Sequence, residues 1–165
     1  MVSDNETVMM NAGTTTLFAL RALMLHKNLN IVTNSIAIAL EASGGTDFNV
    51  ILLGGAVNTK YQFVYGDDAL DQLSRYHADK LILSVDGVSS EAGLSTYYQQ
   101  EAEICRRMIR LANTAIVGAD YTKIGRTAFT KLAEIDTVDY IVTNSKAPRY
   151  EQESLKDADV GMIFV

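Results

Sequence analysis

Apolar stretches rich in β-forming residues alternate with amphipathic helical stretches along the whole chain. The strands that this pattern predicts are 6–11, 30–33, 49–53, 80–85, 114–118, 138–143 and 161–165, and the helices are 14–26, 35–42, 67–76, 99–111 and 150–156. In helix 99–111, Ile104, Met108 and Leu111 fall on one stripe, which is typical of a helix that buries one face. Residues 56–65 fit an irregular or short-strand excursion.

Continuous apolar strands separated by helices are typical of a parallel sheet that is covered on both faces. We therefore predict an α/β fold, with an open, doubly wound, mostly parallel sheet and helices on both sides. No repeat, linker or shift in composition marks a second domain in the 165 residues. We expect residues 1–165 to form one domain with a sizeable core.

Composition and charge exclude several classes of function. Fourteen Lys and Arg against twenty Asp and Glu give a net charge of −6, whereas a domain that grips nucleic acid through its phosphates is usually basic. No apolar run reaches the ~18–20 residues of a membrane span, and the acidic start differs from a signal peptide. The single cysteine, Cys105, fits a reducing cytoplasm. We expect a cytoplasmic domain that binds neither membrane nor, by itself, DNA.

Small and polar residues follow the predicted strands at the points where the strands end. These segments are 11–16, 33–35, 54–55, 86–89 and 120–123. In an open α/β sheet, ligands bind outside the carboxyl ends of the strands. The sequence therefore predicts a ligand site at this edge of the sheet.

The segment that follows the first strand has the most specific pattern. Gly13 allows a tight turn and a close backbone approach, and Thr14, Thr15 and Thr16 then open a helix. Free N–H groups, hydroxyls and the positive helix end meet there, which suits a phosphate. The alternative is that Thr14 only caps the helix.

Other polar residues at the strand ends are candidates for contacts with a sugar. Asp86 can accept hydrogen bonds from hydroxyl groups, or can simply begin a turn. Lys123 can pair with a phosphate or a sugar oxygen, or can be solvated. Glu101 and Glu103 open helix 99–111, where the helix dipole alone favours acidic residues. The two histidines and Cys105 lack the spacing of metal ligands, so we expect neither a metal nor a cofactor.

Six motifs occur in a characteristic order. They are Asn-Ala-Gly-Thr-Thr-Thr (11–16), Val-Thr-Asn-Ser (32–35), Leu-Leu-Gly-Gly (52–55), Val-Asp-Gly-Val-Ser (85–89), Glu-Ala-Glu (101–103) and Ala-Asp-Tyr-Thr-Lys-Ile-Gly-Arg (119–126). Over nearly the whole chain, this set resembles the C-terminal effector domain of DeoR-family repressors, which is similar to ribose-5-phosphate isomerase A. The resemblance implies a regulatory domain that binds a phosphorylated sugar and forms homo-oligomers. In the family a winged helix-turn-helix precedes this domain. The five residues before Glu6 cannot encode one, so we expect DNA contact only through a part outside this chain.

The resemblance also implies a set of site residues. Those for the phosphate are Gly13, Thr14, Thr15 and Thr16, and those for the sugar are Asn11, Asn34, Ser35, Gly54, Gly55, Asp86, Gly87, Glu101 and Lys123. Either Glu101 or Glu103 falls near the catalytic glutamate of the isomerases. The second aspartate of the isomerase Asp-Gly-Ala-Asp-Glu motif is Ser89 here, and the Lys-Gly-Gly-Gly stretch is missing. We therefore expect binding without catalysis.

The sequence differs from the usual family pattern at two places, and other functions are also compatible with it. Asn11 stands where the family commonly has aspartate, and Tyr121-Thr122 replaces the usual Ser-Ser. An active isomerase is the main alternative, and a relative of the coenzyme A transferases is a third hypothesis. Segment 56–65, with Tyr61, Phe63 and Tyr65, is a candidate oligomer contact, unless these aromatic side chains belong to the core.

Overall fold

The computed structural model describes residues 1–165, which form twelve strands and five helices. The strands are β1 (Thr7–Met10), β2 (Asn30–Thr33), β3 (Asn49–Leu52), β4 (Ala56–Asn58), β5 (Phe63–Tyr65), β6 (Ala78–Ser84), β7 (Gly87–Ser89), β8 (Gly93–Thr96), β9 (Ala112–Gly118), β10 (Thr130–Ala133), β11 (Tyr140–Thr143) and β12 (Gly161–Phe164). The helices are α1 (Thr14–Leu23), α2 (Ile36–Ala42), α3 (Asp67–Leu73), α4 (Gln99–Arg110) and α5 (Arg149–Asp157).

Seven strands form the central sheet, in the order β12-β11-β9-β6-β1-β2-β3. Every neighbouring pair in this sheet is parallel. The apolar runs of the sequence predict all seven, with ends that differ by three residues or fewer. The predicted α/β class with a mostly parallel sheet is confirmed.

Alternation along the strands divides the core between the two faces of the sheet. In β1, Val8 and Met10 belong to a nine-residue cluster that also contains side chains of α1 and α2. Met9 points the other way, into a cluster of 26 buried residues to which α3, α4 and α5 contribute. Since each buried aliphatic side chain contributes about 1.5–3 kcal/mol, the second face carries most of the hydrophobic stabilisation. None of the helices combines the length and hydrophobicity that crossing a bilayer requires.

Segment 56–65 forms an antiparallel hairpin of β4 and β5, in keeping with the expected short-strand excursion. Phe63 is almost completely buried, whereas Tyr61 at the hairpin turn keeps 44% of its surface exposed. The suggestion that Phe63 offers an oligomer contact is therefore wrong. Phe63 is a core residue, and its ring packs against Tyr98, which directly precedes α4.

A second, three-stranded antiparallel sheet was not predicted. It has the order β10-β8-β7 and packs its apolar side chains, such as Val88 and Leu94, into the larger core cluster. Gly87 begins this sheet, where a Cβ atom would lie 2.5 Å from the carbonyl oxygen of Arg126. The close packing places Asp86 and Thr96 side by side at the end of β6, since the Asp86 N–H donates to the Ser95 carbonyl at 2.9 Å.

Candidate functional site

A cleft of about 840 Å³ opens at the carboxyl ends of the central strands. This size falls within the range of small-molecule sites. Seven of the residues predicted for the site line it: Gly13, Thr14, Thr15, Ser35, Asp86, Glu101 and Lys123. A separate concavity of about 690 Å³ lies near the amino ends of β11 and β12. We take the cleft at the carboxyl ends as the candidate site, because ligands of open α/β sheets bind there.

Gly13 forms the turn from β1 into α1. A Cβ atom on Gly13 would lie only 2.5 Å from the Cβ atom of Ser84, so the neighbouring strand β6 leaves no room for a side chain. The first N–H groups of an α-helix have no partner within the helix, and the helix dipole adds positive potential there. The first turn of α1 contains no acidic residue. This turn can therefore accept an anion at the cleft.

The three threonines after Gly13 have different roles in the structure. Thr16 is buried, and its hydroxyl lies 2.8 Å from the carbonyl oxygens of both Asn11 and Gly13. It holds the turn in shape from within. Thr14 and Thr15 line the cleft, so they present the hydroxyls that are available to a ligand.

Asn11 and Asn34 are completely buried and do not line the cleft. The Asn11 side chain accepts from the Ser84 N–H at 2.8 Å and donates to the Ser84 carbonyl at 2.9 Å, which ties β1 to β6. The Asn34 side chain accepts from the Ala12 N–H at 3.2 Å and donates to the Val64 carbonyl at 3.1 Å. Through these hydrogen bonds, both asparagine side chains position the backbone around the cleft.

Asp86, Thr96, Glu101 and Lys123 form a connected polar network in the cleft. The Lys123 ammonium lies 3.3 Å from one Asp86 oxygen. The Thr96 hydroxyl lies 3.0 Å from the other Asp86 oxygen and 2.8 Å from Glu101 Oε2. One hydroxyl proton cannot serve two carboxylates at once. Both contacts are satisfied when Glu101 is protonated and donates to Thr96, which then donates to Asp86.

The surroundings of Glu101 favour this protonated form. Burial, the largest effect, and the nearby Asp86 charge raise the pKa of Glu101 to about 7, although hydrogen bonds from Thr96 and Asn11 act in the opposite direction. Glu103 instead is exposed, and its carboxylate accepts from the Gln99 side chain at 3.3 Å. The structure thus brings Glu101, and not Glu103, into the cleft.

The predicted glycines other than Gly13 lie outside the lining of the cleft. The Gly54 N–H donates to the Gln72 side chain at 2.6 Å. Gly55 has φ +146°, and a Cβ atom there would lie 2.7 Å from the carbonyl oxygen of Tyr65. Like Gly87, these residues shape the backbone, and a ligand contact by any of them stays a prediction.

Sequence reasoning missed Thr96 and the aromatic side chains in the lining. Tyr61, Phe63 and Tyr98 line the cleft together, and the rings of Tyr61 and Tyr98 are 4.7 Å apart between centroids. We call these three residues the aromatic wall. Tyr98 directly precedes the predicted helix 99–111, but no spacing in the sequence connects it to a tyrosine 37 positions earlier.

The chain is similar to bacterial repressors over most of its length. It is 32% identical to the HTH-type transcriptional repressor GlcR of Bacillus subtilis, over 87% of this chain and 55% of that protein. It is 29% identical to the glycerol-3-phosphate regulon repressor of Escherichia coli K12, over 94% of this chain and 62% of that protein. The chain therefore spans a little more than half of the length of these relatives.

Solved structures with low sequence identity share the fold. Ribose 5-phosphate isomerase from Plasmodium falciparum superimposes with a TM-score of 0.52 at 16% identity, over 76% of this chain and 47% of the isomerase. The beta subunit of eIF2B from Chaetomium thermophilum gives 0.54 at 15% identity, over 99% of this chain and 53% of that one. The family model of the DeoR C-terminal sensor domain matches residues 1–145, and the chain belongs to this family.

Proposed function

We propose that this chain binds a phosphorylated sugar in the cleft at the strand ends and acts as the sensor domain of a DeoR-type transcriptional repressor. The observation that carries the proposal is the cleft itself, which combines an anion-accepting helix start at Gly13 with the polar network of Asp86, Thr96, Glu101 and Lys123. A phosphate and several hydroxyl groups are the ligand groups that such a combination suits.

In the proposed binding mode, the phosphate accepts hydrogen bonds from the first N–H groups of α1 and from the hydroxyls of Thr14 and Thr15. Sugar hydroxyls contact Ser35, Asp86, Glu101 and Lys123, which line the same cleft. The buried side chains of Asn11, Thr16 and Asn34 hold the backbone of the site in place. At Gly55 and Gly87 the backbone of a neighbouring segment lies too close for a side chain, so these glycines allow the adjoining loops to pack tightly.

We further propose that the domain binds its ligand without converting it. Ser89 stands where the isomerases have their second aspartate, and its hydroxyl oxygen accepts from the N–H groups of Glu91 at 3.3 Å and Ala92 at 3.2 Å. This hydroxyl closes the turn between β7 and β8. The Ser89 hydroxyl therefore has a structural role in this turn, and it cannot replace the missing carboxylate.

Regulation would work through a shift between two states of the whole repressor. Ligand binding changes DNA affinity only if the sugar phosphate favours one state over the other. We propose that a homo-oligomer in the cytoplasm provides these states, and that DNA is contacted through a part outside this chain. The net charge of −6 supports the last point, because a phosphate backbone would be repelled.

A thermal-shift screen of sugar phosphates tests the proposal, with each compound compared with its unphosphorylated sugar. A ligand at 100 times its Kd stabilises the folded state by about 2.7 kcal/mol, which raises the Tm by roughly 5–10 °C for a domain of this size. Thr15→Val removes one hydroxyl from the phosphate contacts at nearly constant volume. We expect it to weaken binding about tenfold or more.

Thr7→Val is the matched control, since Thr7 lies at the opposite end of β1, away from the cleft. It should leave the ligand-induced shift unchanged. Two results would speak against the proposal: no shift with any sugar phosphate, or shifts that are the same with the unphosphorylated sugars and with Thr15→Val.

A further inference from the structure

The aromatic wall of Tyr61, Phe63 and Tyr98 lies in the lining of the cleft but takes no part in the phosphate contacts proposed above. Phe63 is buried in the core, and the ring of Tyr98 packs on it with a centroid distance of 6.2 Å and an interplanar angle of 54°. Tyr61 packs on Tyr98 at 4.7 Å and 48°. The three rings therefore form a continuous series of contacts, from Phe63 in the core through Tyr98 to the exposed Tyr61.

Sugars differ in how well they match an aromatic surface. A pyranose or furanose ring presents a rigid face of C–H groups, and these weakly positive groups fit the negative face of an aromatic ring. An open-chain polyol phosphate carries hydroxyls along its length and presents no comparable apolar face. It also loses more internal rotation when it is bound.

The hydroxyls of the wall do not disturb an apolar contact of this kind. The neighbouring Tyr61 side chain, together with burial and the carboxylates of Asp86 and Glu101, raises the pKa of Tyr98 to about 12, so this side chain stays uncharged at neutral pH. It therefore does not repel the phosphate of a ligand in the same cleft. The polar network of Asp86, Glu101 and Lys123 remains available for the hydroxyls of the sugar.

We infer that the cleft selects the cyclic form of a sugar phosphate, and that Tyr98 and Tyr61 determine this specificity by packing on the C–H face of the ring. The inference rests on the proposed function, because it presumes that a sugar phosphate occupies the cleft. Tyr98 is the main contributor, since its ring contacts both Phe63 and Tyr61 and is held in place by them.

The test compares ligands whose ring cannot open with ligands whose chain cannot close, by isothermal titration calorimetry. Three pairs cover three configurations: 1,5-anhydroglucitol 6-phosphate with glucitol 6-phosphate, 1,5-anhydrogalactitol 6-phosphate with galactitol 6-phosphate, and 1,4-anhydroribitol 5-phosphate with ribitol 5-phosphate. We expect at least one cyclic member to bind about fivefold or more tightly than its open-chain partner.

Variants assign this preference to the wall. Tyr98→Leu should bring the ratio of the two affinities close to one, whereas Tyr98→Phe keeps the ring and should keep the ratio. Tyr140→Leu is the control, since Tyr140 begins β11 at the amino end of the sheet and should leave the ratio unchanged. If Tyr98→Leu fails to fold by circular dichroism, Tyr61→Leu at the exposed hairpin turn replaces it.

The possible results distinguish failure of this inference from failure of the proposed function. Open-chain members that bind as tightly as the cyclic ones, or a ratio that survives in Tyr98→Leu (or in Tyr61→Leu where that variant replaces it), overturn the inference and leave the proposed function intact. If none of the six phosphates binds and the sugar-phosphate screen is also empty, the proposed function fails and the inference fails with it.

Discussion

Glu101 lies half-buried at the start of α4 and shares the Thr96 hydroxyl with Asp86. In the unfolded chain its pKa has the ordinary value of 4.5, whereas in the folded protein burial raises the pKa to about 7. Between these two values the folded state binds more protons than the unfolded state. The contribution of Glu101 to stability is therefore most favourable at low pH and is lost as the pH rises through 7.

The difference between the two pKa values predicts that the free energy of unfolding depends on pH through Glu101. Between pH 5 and pH 8, the free energy of unfolding of the wild type should fall by about 2 kcal/mol relative to that of Glu101→Gln, which has no proton to lose. Urea denaturation at several pH values measures it. Glu103→Gln, at an exposed position two residues further on, should follow the wild type. Parallel pH curves for the wild type and Glu101→Gln would contradict the assignment of this proton.

The sequence predicted one side of the site better than the other. Gly13, Thr14, Asp86 and Lys123 follow predicted strands, so the sequence indicated that all four lie at the carboxyl edge of the sheet. The structure adds that their strands β1, β6 and β9 are neighbours. The choice between Glu101 and Glu103 depends on which side of α4 faces the cleft. Thr96 reaches the cleft only because β8 folds back beside the end of β6, which no local pattern encodes.

At the level of elements, the same contrast separates the two main sheets. The inner strands β1, β2, β6 and β9 of the central sheet are largely buried, and such strands leave continuous apolar runs in the sequence. Strands β7 and β8 are rich in glycine and serine, and β10 reads Thr-Lys-Leu-Ala, so none of the three forms a continuous apolar run. Their pairing is also non-local, since Thr96 lies opposite Thr130. The small sheet was therefore missed.

Gly93, which begins β8, gives a prediction for this sheet. Its φ is +77°, and a Cβ atom would overlap the carbonyl oxygen of Ala133 on β10. We expect Gly93→Ala to lower the free energy of unfolding by about 3 kcal/mol, from backbone strain and the clash together. The loss is measured by urea denaturation.

Gly45→Ala is the control for the part that comes from strain alone. Gly45 has φ +101°, and nothing lies within 4 Å of the position that a Cβ atom would take, so the cost should be only about 1 kcal/mol. Equal losses for the two variants would show that the close contact between β8 and β10 does not contribute.

For the molecule as a whole, the net charge of −6 means that attraction to an anionic ligand is not a property of the surface. In the proposed function it comes mainly from the start of α1, where backbone N–H groups and the helix dipole meet and the first turn contains no acidic residue. If the proposed function holds, phosphate binding is confined to the sheet edge. The net charge of −6 disfavours binding of longer polyanions such as DNA by this chain.

The same fold supports an isomerase in another protein, so an assay for isomerase activity distinguishes catalysis from binding. Purified protein should form no ribulose 5-phosphate from ribose 5-phosphate above a protein-free blank. Isomerisation through an enediol needs a free base and a group that stabilises negative charge. Here the Glu101 carboxyl group is hydrogen-bonded to the Thr96 hydroxyl, and the Lys123 ammonium is paired with Asp86 at 3.3 Å. Neither group is free for these roles. A coupled assay that detects conversion in the wild type, and loses it in Glu101→Gln, would show that the domain is an enzyme.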